Sequence, residues 1–279
     1  MKLFLKTKDF SVSNEEFDLL LDTNLELLVT QPKPDNLEPY YESDAYISHT
    51  DGKNTLLERC YQVVKKHSLR KKVALINRFL PHKRTLLDFG AGTGDFLLAA
   101  NEQGWNTTGI EPNSKAKARA VNKGVTMQDN IASLAGERFE VVTLWHVLEH
   151  LPDLDAQIAK ITSLLSTNGT LVIAVPNFNS FDAKHYKEHW AAYDVPRHLW
   201  HFSKTAIAKI FAKHQWKVVS VKPMWFDAFY VALLSEKYKH GKQRPLSAFL
   251  VGLWSNLCAL YTKECSSHIY VLKKQNDTP

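Results

Sequence analysis

The stretch LLDFGAGTGDF places Gly90, Ala91, Gly92 and Gly94 directly after an apolar run that ends at Asp88 and Phe89. Glycines at a strand-to-helix turn supply dihedrals closed to other residues and let a ligand approach bare backbone. A dinucleotide fingerprint needs glycine or alanine three positions beyond its second glycine, but this chain has Asp95 there, where it would repel a pyrophosphate. Asp88 and Asp95 instead suit a ligand with an adenosine, no phosphate and a positive charge. About twenty residues on, Glu111 closes the next apolar run, followed by Pro112, at the place from which a carboxylate takes two ribose hydroxyls. Asp129 and Asn130 end a third run, within reach of an adenine amino group. Each acid alone could equally be a helix cap. Their joint placement at successive strand ends points to a ligand, because that edge is where open parallel sheets bind one.

Two further groups carry titratable chemistry. His146, Glu149 and His150 form an H-x-x-E-H string that superficially matches an inverted zinc-protease motif. That motif needs a helix, whereas this string straddles the end of an apolar run, so we expect His150 to fix a loop by hydrogen bonding. The segment NSFDAKHYKEHWAAYDVPRHLWHF brings His185, His189, Asp194, His198 and His201 beside Trp190, Tyr193 and Trp200. A polar and aromatic loop suits a planar or glycosidic substrate, and histidine is a proton acceptor near neutral pH. His201, Asp194 and His198 are the first candidates for the base because they adjoin Ser203, where a helix begins, with His146 as the fallback.

Positioning these residues falls to an alternation of short strands and helices. TLLDFG, NTTGIEP, VTMQD, FEVVTLWHV and TLVIAVPN read as strands. The helices between them are punctuated by Gly104, Gly124 and Gly169. This predicts an α/β fold with a doubly wound, mainly parallel sheet over residues 81–279, with a substrate loop at 177–202 and a helical insertion at 223–266 before a last strand. Residues 1–80 read as an N-terminal cap: FDLLLDTNLELLVTQPKP as a hairpin or helix, an aromatic stretch with Tyr40, Tyr41 and Tyr46 that could close over the ligand, then two helices between Asn54 and Phe79.

With those elements in place, the chain resembles the class I S-adenosylmethionine-dependent methyltransferases. LLDFGAGTGDF, GIEP, QDNIASL, FEVVTLWHVLEHLPD and LSTNGTLVIAVPN occur in family order, and DVPRHLWHFSKTAIAKIFAKHQWKVVSV is similar to the branch of ubiquinone-biosynthesis O-methyltransferases. The resemblance implies a seven-stranded Rossmann-like sheet with a reversed last strand, S-adenosyl-L-methionine as cofactor, and cofactor contacts that include Trp145 and His146. It leaves the acceptor open, whether a small molecule, a glycan or a lipid-like compound, and whether methylated on oxygen or nitrogen. In that branch an EVLEH string can hold a divalent ion, but His146 replaces its first glutamate. Some relatives begin with a Cys-x-x-Cys leader, and Asp22 and Leu25 stand at those places, which removes the thiolates of a zinc site and predicts a metal-free cap. The rival readings are a nicotinamide-dependent oxidoreductase and a non-catalytic cofactor-binding module with a partner or membrane role.

Composition narrows the setting. In 279 residues, 35 Lys+Arg against 29 Asp+Glu give a charge of +6, dispersed rather than gathered with aromatics, so no specific nucleic-acid partner is expected. Three scattered cysteines, Cys60, Cys258 and Cys265, build no disulfide framework, which fits a reducing cytoplasm. The start turns acidic before a long apolar run develops and so does not read as a signal peptide. Residues 245–262 carry no charge and just reach the length of a bilayer span, yet Ser247, Gly252, Ser255 and Asn256 favour a buried or partly exposed helix of the fold. The oligomeric state is not legible in the sequence.

Overall fold

Apolar residues alternate between two faces along each central strand, and helices cover both faces, so the strands read as continuous apolar runs. The computed structural model describes residues 1–41, 56–79 and 84–275, except for the side chains of 56–61. Three strands open the chain: β1 (Lys2–Lys8), β2 (Glu16–Asp22) and β3 (Leu27–Gln31). Helix α1 (Leu56–Asn77) leads into β4 (Thr85–Phe89), α2 (Asp95–Asn101), β5 (Asn106–Ile110), α3 (Ser114–Asn122), β6 (Met127–Gln128), β7 (Phe139–Trp145), α4 (Leu154–Ser163) and β8 (Leu165–Pro176). The remainder holds α5 (Phe181–Tyr186), β9 (Trp200–His201), α6 (Lys204–Lys213), β10 (Trp216–Pro223), α7 (Asp227–His240), α8 (Pro245–Thr262) and β11 (Ser267–Lys274).

The main sheet has seven strands in the order β10-β11-β8-β7-β4-β5-β6. β4 to β8 pair in parallel, while β11 runs antiparallel to both β8 and β10. This is the expected mainly parallel sheet with a reversed last strand. Leu87, Val142, Leu144, Leu171 and Ile173 face one side, against Ile158 and Ile161 of α4 and Ile207 and Ile210 of α6. Leu86, Val141 and Val172 face the other, against Val73 and Ile76 of α1 and Phe96 and Leu97 of α2.

The N-terminal segment adopts the hairpin reading and more. β1, β2, β3 and β9 form a second, antiparallel sheet, in which Leu28 pairs with His201 and Val29 with Trp200. Phe17, Leu19 and Leu28 of this sheet pack on Tyr186, Trp190 and Tyr193 and on Val231 and Ala232 of α7. Two expectations are corrected. The two helices between Asn54 and Phe79 are one helix, α1, since nothing between Leu56 and Asn77 breaks it; Tyr46, Asn54 and the Cys60 side chain lie outside the described residues. Gly169 does not terminate a helix: α4 ends at Ser163, and Leu165 already pairs with Phe139 before the register shifts at Val141.

Candidate active site

At the end of β4 the chain turns through Gly90 and Gly92, both at positive φ, and Gly94 caps α2. A Cβ on Gly90 would stand 2.4 Å from Val147 Cγ2, so only glycine lets this turn pass the loop after β7. A Cβ on Gly92 would meet nothing, so its backbone borders open space. Gly90 and Ala91 donate their N–H groups to the Ile110 carbonyl, which ties the turn to the end of β5. Glu111 accepts the Gly92 N–H at Oε2 and the Asn113 N–H at Oε1, both at 2.8 Å. This fixed carboxylate keeps acceptor capacity beyond these two bonds.

Asp88 is buried and accepts the Thr143 hydroxyl at 2.5 Å. Burial pushes its pKa up to about 7, against the opposing effects of that hydrogen bond and of the Lys72 charge. Lys72, on α1, holds its ammonium 4.3 Å from the centre of the Trp145 ring, and burial lowers its pKa against the pull of Asp88 and Asp227. Trp145 meets the edge of Phe96, and its buried Nε1–H has no partner.

The other acids of the sheet edge are differently engaged. Asp95 is paired with Lys65 at 2.7 Å and Lys123 at 2.6 Å, so its charge is neutralised inside the protein and does not by itself repel a phosphate. Asp129 is exposed and paired with Lys117. Asn130 caps the short turn Ile131–Leu134 by accepting the Ala132 and Ser133 N–H groups, and Pro112 is exposed at the turn after β5.

The histidines separate sharply. His146 sits at φ 58, with Nε2 at 3.1 Å from Asp227 and Nδ1 at 3.4 Å from Glu149. Burial alone would lower its pKa, but Asp227 and Glu149 push it up to about 10, so it is an imidazolium at neutral pH and has no lone pair for an incoming proton. His201 is buried in the cap sheet, where Thr30 donates its hydroxyl to the His198 carbonyl and leaves its oxygen to accept His201 Nε2–H at 3.0 Å. Burial, and secondarily the charge of His198, hold His201 well below its usual pKa. Asp194 is clasped by Arg197, Nε to Oδ2 at 3.0 Å and a terminal nitrogen to Oδ1 at 2.6 Å, and the pair overcomes burial to keep its pKa low. The geometry therefore corrects the first choices for the base: His201 is shut behind the cap, Asp194 is an ion-pair partner, and His146 is already protonated.

His198 differs. Its Nδ1 donates to the Ala192 carbonyl at 2.8 Å, leaving Nε2 as the acceptor, and its ring meets that of His150 edge-on at 4.5 Å. His150 Nδ1 lies 3.0 Å from the Tyr41 hydroxyl and 3.1 Å from the Arg197 carbonyl, and burial, then the His198 charge, lowers its pKa to about 4. Beside them Glu149 is fully buried; its Oε1 stands 3.4 Å from His146 Nδ1, and its Oε2 has no hydrogen-bond partner. Glu149, His150 and His198 each offer a ligand atom, all within 4.8 Å of one another. Two imidazoles and a buried carboxylate make a donor set that fits a divalent cation, although the sequence alone led us to expect no metal. His198, a candidate from the sequence, joins this group from a remote segment; Asp227 meets His146, Lys72 meets Trp145 and Thr143 meets Asp88, and no spacing rule announces these three partners.

The comparisons follow this geometry. A family model described as a methyltransferase domain matches residues 64–221. The ubiquinone biosynthesis O-methyltransferase of Aeromonas salmonicida (strain A449) is 30% identical over 106 residues, covering 34% of this chain and 44% of that protein. Its namesake in Haemophilus ducreyi is 32% identical over 108 residues, covering 34% and 46%. The chain thus matches less than half the length of these curated relatives. Among solved structures, the magnesium protoporphyrin IX methyltransferase of Synechocystis PCC 6803 with bound SAH aligns over 85% of this chain and 97% of its own, at 15% identity and a TM-score of 0.56. Phosphoethanolamine N-methyltransferase 2 of Haemonchus contortus aligns over 88% of this chain and 62% of its own, at 16% identity and a TM-score of 0.54. At these identities the structures share the fold. The nicotinamide reading gains nothing from these likenesses.

Proposed function

We infer the reaction from the family to which this chain belongs, the class I S-adenosylmethionine-dependent methyltransferases. The chain transfers a methyl group from S-adenosylmethionine to a small-molecule acceptor, and the O-methyltransferases it resembles favour an oxygen as the atom that receives it. One observation carries the cofactor assignment: Glu111, held by the Gly92 and Asn113 N–H groups, presents a fixed carboxylate beside an open glycine turn. A ribose diol donates to such a carboxylate, and the turn leaves room for it. Asp88 supplies the counter-charge for a cationic ligand.

The bound cofactor supplies an electrophilic methyl group on a sulfonium, and the protein's task is alignment and exclusion of water. The acceptor side is the cavity of about 280 Å³ lined by Lys72, Leu75, Met224, Trp225, Phe226 and Asp227. His146 bridges Asp227 to Glu149 and so joins this cavity to the Glu149, His150 and His198 group. Within that group His198 Nε2 is the site that takes the acceptor's proton, while Glu149 is held by His146. A divalent cation held by the same three residues would polarise an acceptor hydroxyl.

The test is thermal unfolding with S-adenosylmethionine, S-adenosylhomocysteine, NAD and NADP. The first two are expected to stabilise the protein by about 2.7 kcal/mol at a hundredfold excess over the dissociation constant, and the nicotinamides to do nothing. Silence with both adenosyl ligands at millimolar concentration would sink the reading.

Asp88 adds a pH dependence of definite sign. Its folded pKa lies near 7 and its unfolded value near 3.8. It therefore stabilises the empty fold below the unfolded value, and that contribution is lost as pH rises through about 7. A cationic ligand prefers the carboxylate, so affinity for S-adenosylmethionine should rise about tenfold between roughly pH 6 and 8. Calorimetric titrations of the wild type and Asp88→Asn across that range check it: the variant should lack this rise, and equal slopes would refute the role.

A further inference from the structure

Helix α8 is built with its small residues inward and its large ones outward. Its buried positions are Ala248, Gly252, Ser255 and Ala259, whose spacing puts them on one face. A Cβ on Gly252 would stand 2.8 Å from Phe229 Cδ1 and 3.1 Å from the Ala228 carbonyl, so α8 meets α7 almost backbone to backbone. Ser255 donates to Asp182 at 2.7 Å, which fixes the same face from the other side. Outward point Phe249, Leu250, Leu253, Trp254, Leu257 and Leu260, with Leu250 and Trp254 each 56% exposed. A helix serving only a soluble core would turn these six inward, and a contiguous apolar strip of this kind marks a docking surface.

The charges at the borders select the occupant. No charged residue lies between Arg244 and Lys263. Lys237, Lys239, Lys242 and Arg244 are exposed on the last turn of α7 and the connection into α8, and Lys263 is exposed at the far end. The acids of this region are paired inside the protein, Glu236 with His240 at 3.5 Å and Arg244 at 3.9 Å and Glu264 with Lys204 at 2.8 Å, so the exposed Lys237, Lys239, Lys242 and Lys263 keep the collar positive. A second copy related by a two-fold axis would bring like collars together. An anionic lipid headgroup layer is complementary: lysine and arginine stems lie along the apolar surface with their charges at the headgroups, and Trp254 and Tyr261 belong at that boundary. The inner face stays packed on α7 through Gly252 and bonded through Ser255, so the helix lies along the bilayer instead of crossing it. We propose that α8 docks this protein, side-on, to an anionic bilayer surface. Asn256 donates to the Trp225 carbonyl at 2.8 Å, so the docked helix borders the cavity lined by Met224, Trp225 and Phe226.

Flotation of the full chain with vesicles tests this, using phosphatidylcholine alone and phosphatidylcholine with about 30% phosphatidylglycerol, at about 0.1 and 0.5 M salt. The expected result is flotation with the anionic vesicles that weakens at high salt. Leu250→Glu with Trp254→Glu should abolish it, and Lys237→Gln, Lys239→Gln and Lys242→Gln together should weaken binding roughly tenfold or more. Both variants alter exposed side chains, so their melting temperatures should stay at the wild-type value, which separates lost docking from lost folding. Wild-type protein that ignores every vesicle, or that binds neutral and anionic vesicles equally, overturns the proposal. So does a concentration-dependent dimer, with no flotation, that Trp254→Glu dissociates in gel filtration.

Discussion

Arg197→Leu is expected to detach the N-terminal sheet from the loop that carries the histidine cluster, at a cost of about 3–5 kcal/mol in stability. The guanidinium is 3% exposed and reaches Asp194, Asp9 at 3.1 Å, the Ser11 hydroxyl and the Tyr40 carbonyl at 3.0 Å. Leucine fills much of the volume but leaves the buried Asp9 and the half-buried Asp194 without their counter-charge. Arg197→Lys restores one charge without the planar fork that serves Asp194 at two points, so it should recover only part of the loss. The same contacts give the pair a pH signature. Burial alone would raise the Asp9 pKa, yet the Ser13 N–H and the Arg197 charge bring it down to about 2. Its contribution is present above the unfolded carboxylate value and lost as pH falls toward about 2, so the acid-unfolding midpoint of Arg197→Leu should move to higher pH. Urea unfolding, with hydrogen exchange at residues 2–31, measures both effects. Unchanged unfolding and unchanged protection in the first three strands would show that the ion pairs do not hold the sheet.

Asp9 and Arg197 also show where reading the sequence stops. The glycine turn, the strand ends at Asp88 and Glu111 and the sheet itself are legible because their signals are local: alternating apolar residues, then glycines, then an acid within a few positions. Arg197 stands 188 residues from Asp9, and no periodicity connects them. His201 reads as a base because it sits in a polar and aromatic loop, but pairing of β9 with β3 buries it against Thr30. The same non-local event releases His198 toward Glu149 and His150. Lys72 looks like any lysine of an exposed helix face until α1 lays it over Trp145. His146 is read as a neutral imidazole until the start of α7 delivers Asp227. Protonation states thus depend on elements that arrive from elsewhere in the chain, whereas strand ends do not.

Glu111→Ala should weaken S-adenosylhomocysteine and S-adenosylmethionine binding by about 1.5–3 kcal/mol, or roughly one to two decades in the dissociation constant. The loss has two sources that the choice of variant separates. Alanine removes the acceptor for the ribose hydroxyls, and it also frees the Gly92 and Asn113 N–H groups that the carboxylate now fixes at 2.8 Å. Glu111→Gln keeps one carbonyl oxygen, so it can retain one of those anchors and one ribose contact while losing the charge that strengthens both. Its affinity should therefore fall between wild type and alanine. The empty alanine variant should melt close to the wild type, because Glu111 is half-buried at a turn that Gly90 and Ala91 already tie to Ile110. Calorimetric titration with S-adenosylhomocysteine gives the dissociation constants without turnover, and a melt of each empty protein shows whether the glycine turn survives. A dissociation constant unchanged in Glu111→Ala would remove the ribose from the end of β5. A fall in affinity accompanied by an equal fall in the empty protein's stability would assign Glu111 to building the turn instead of holding the ligand.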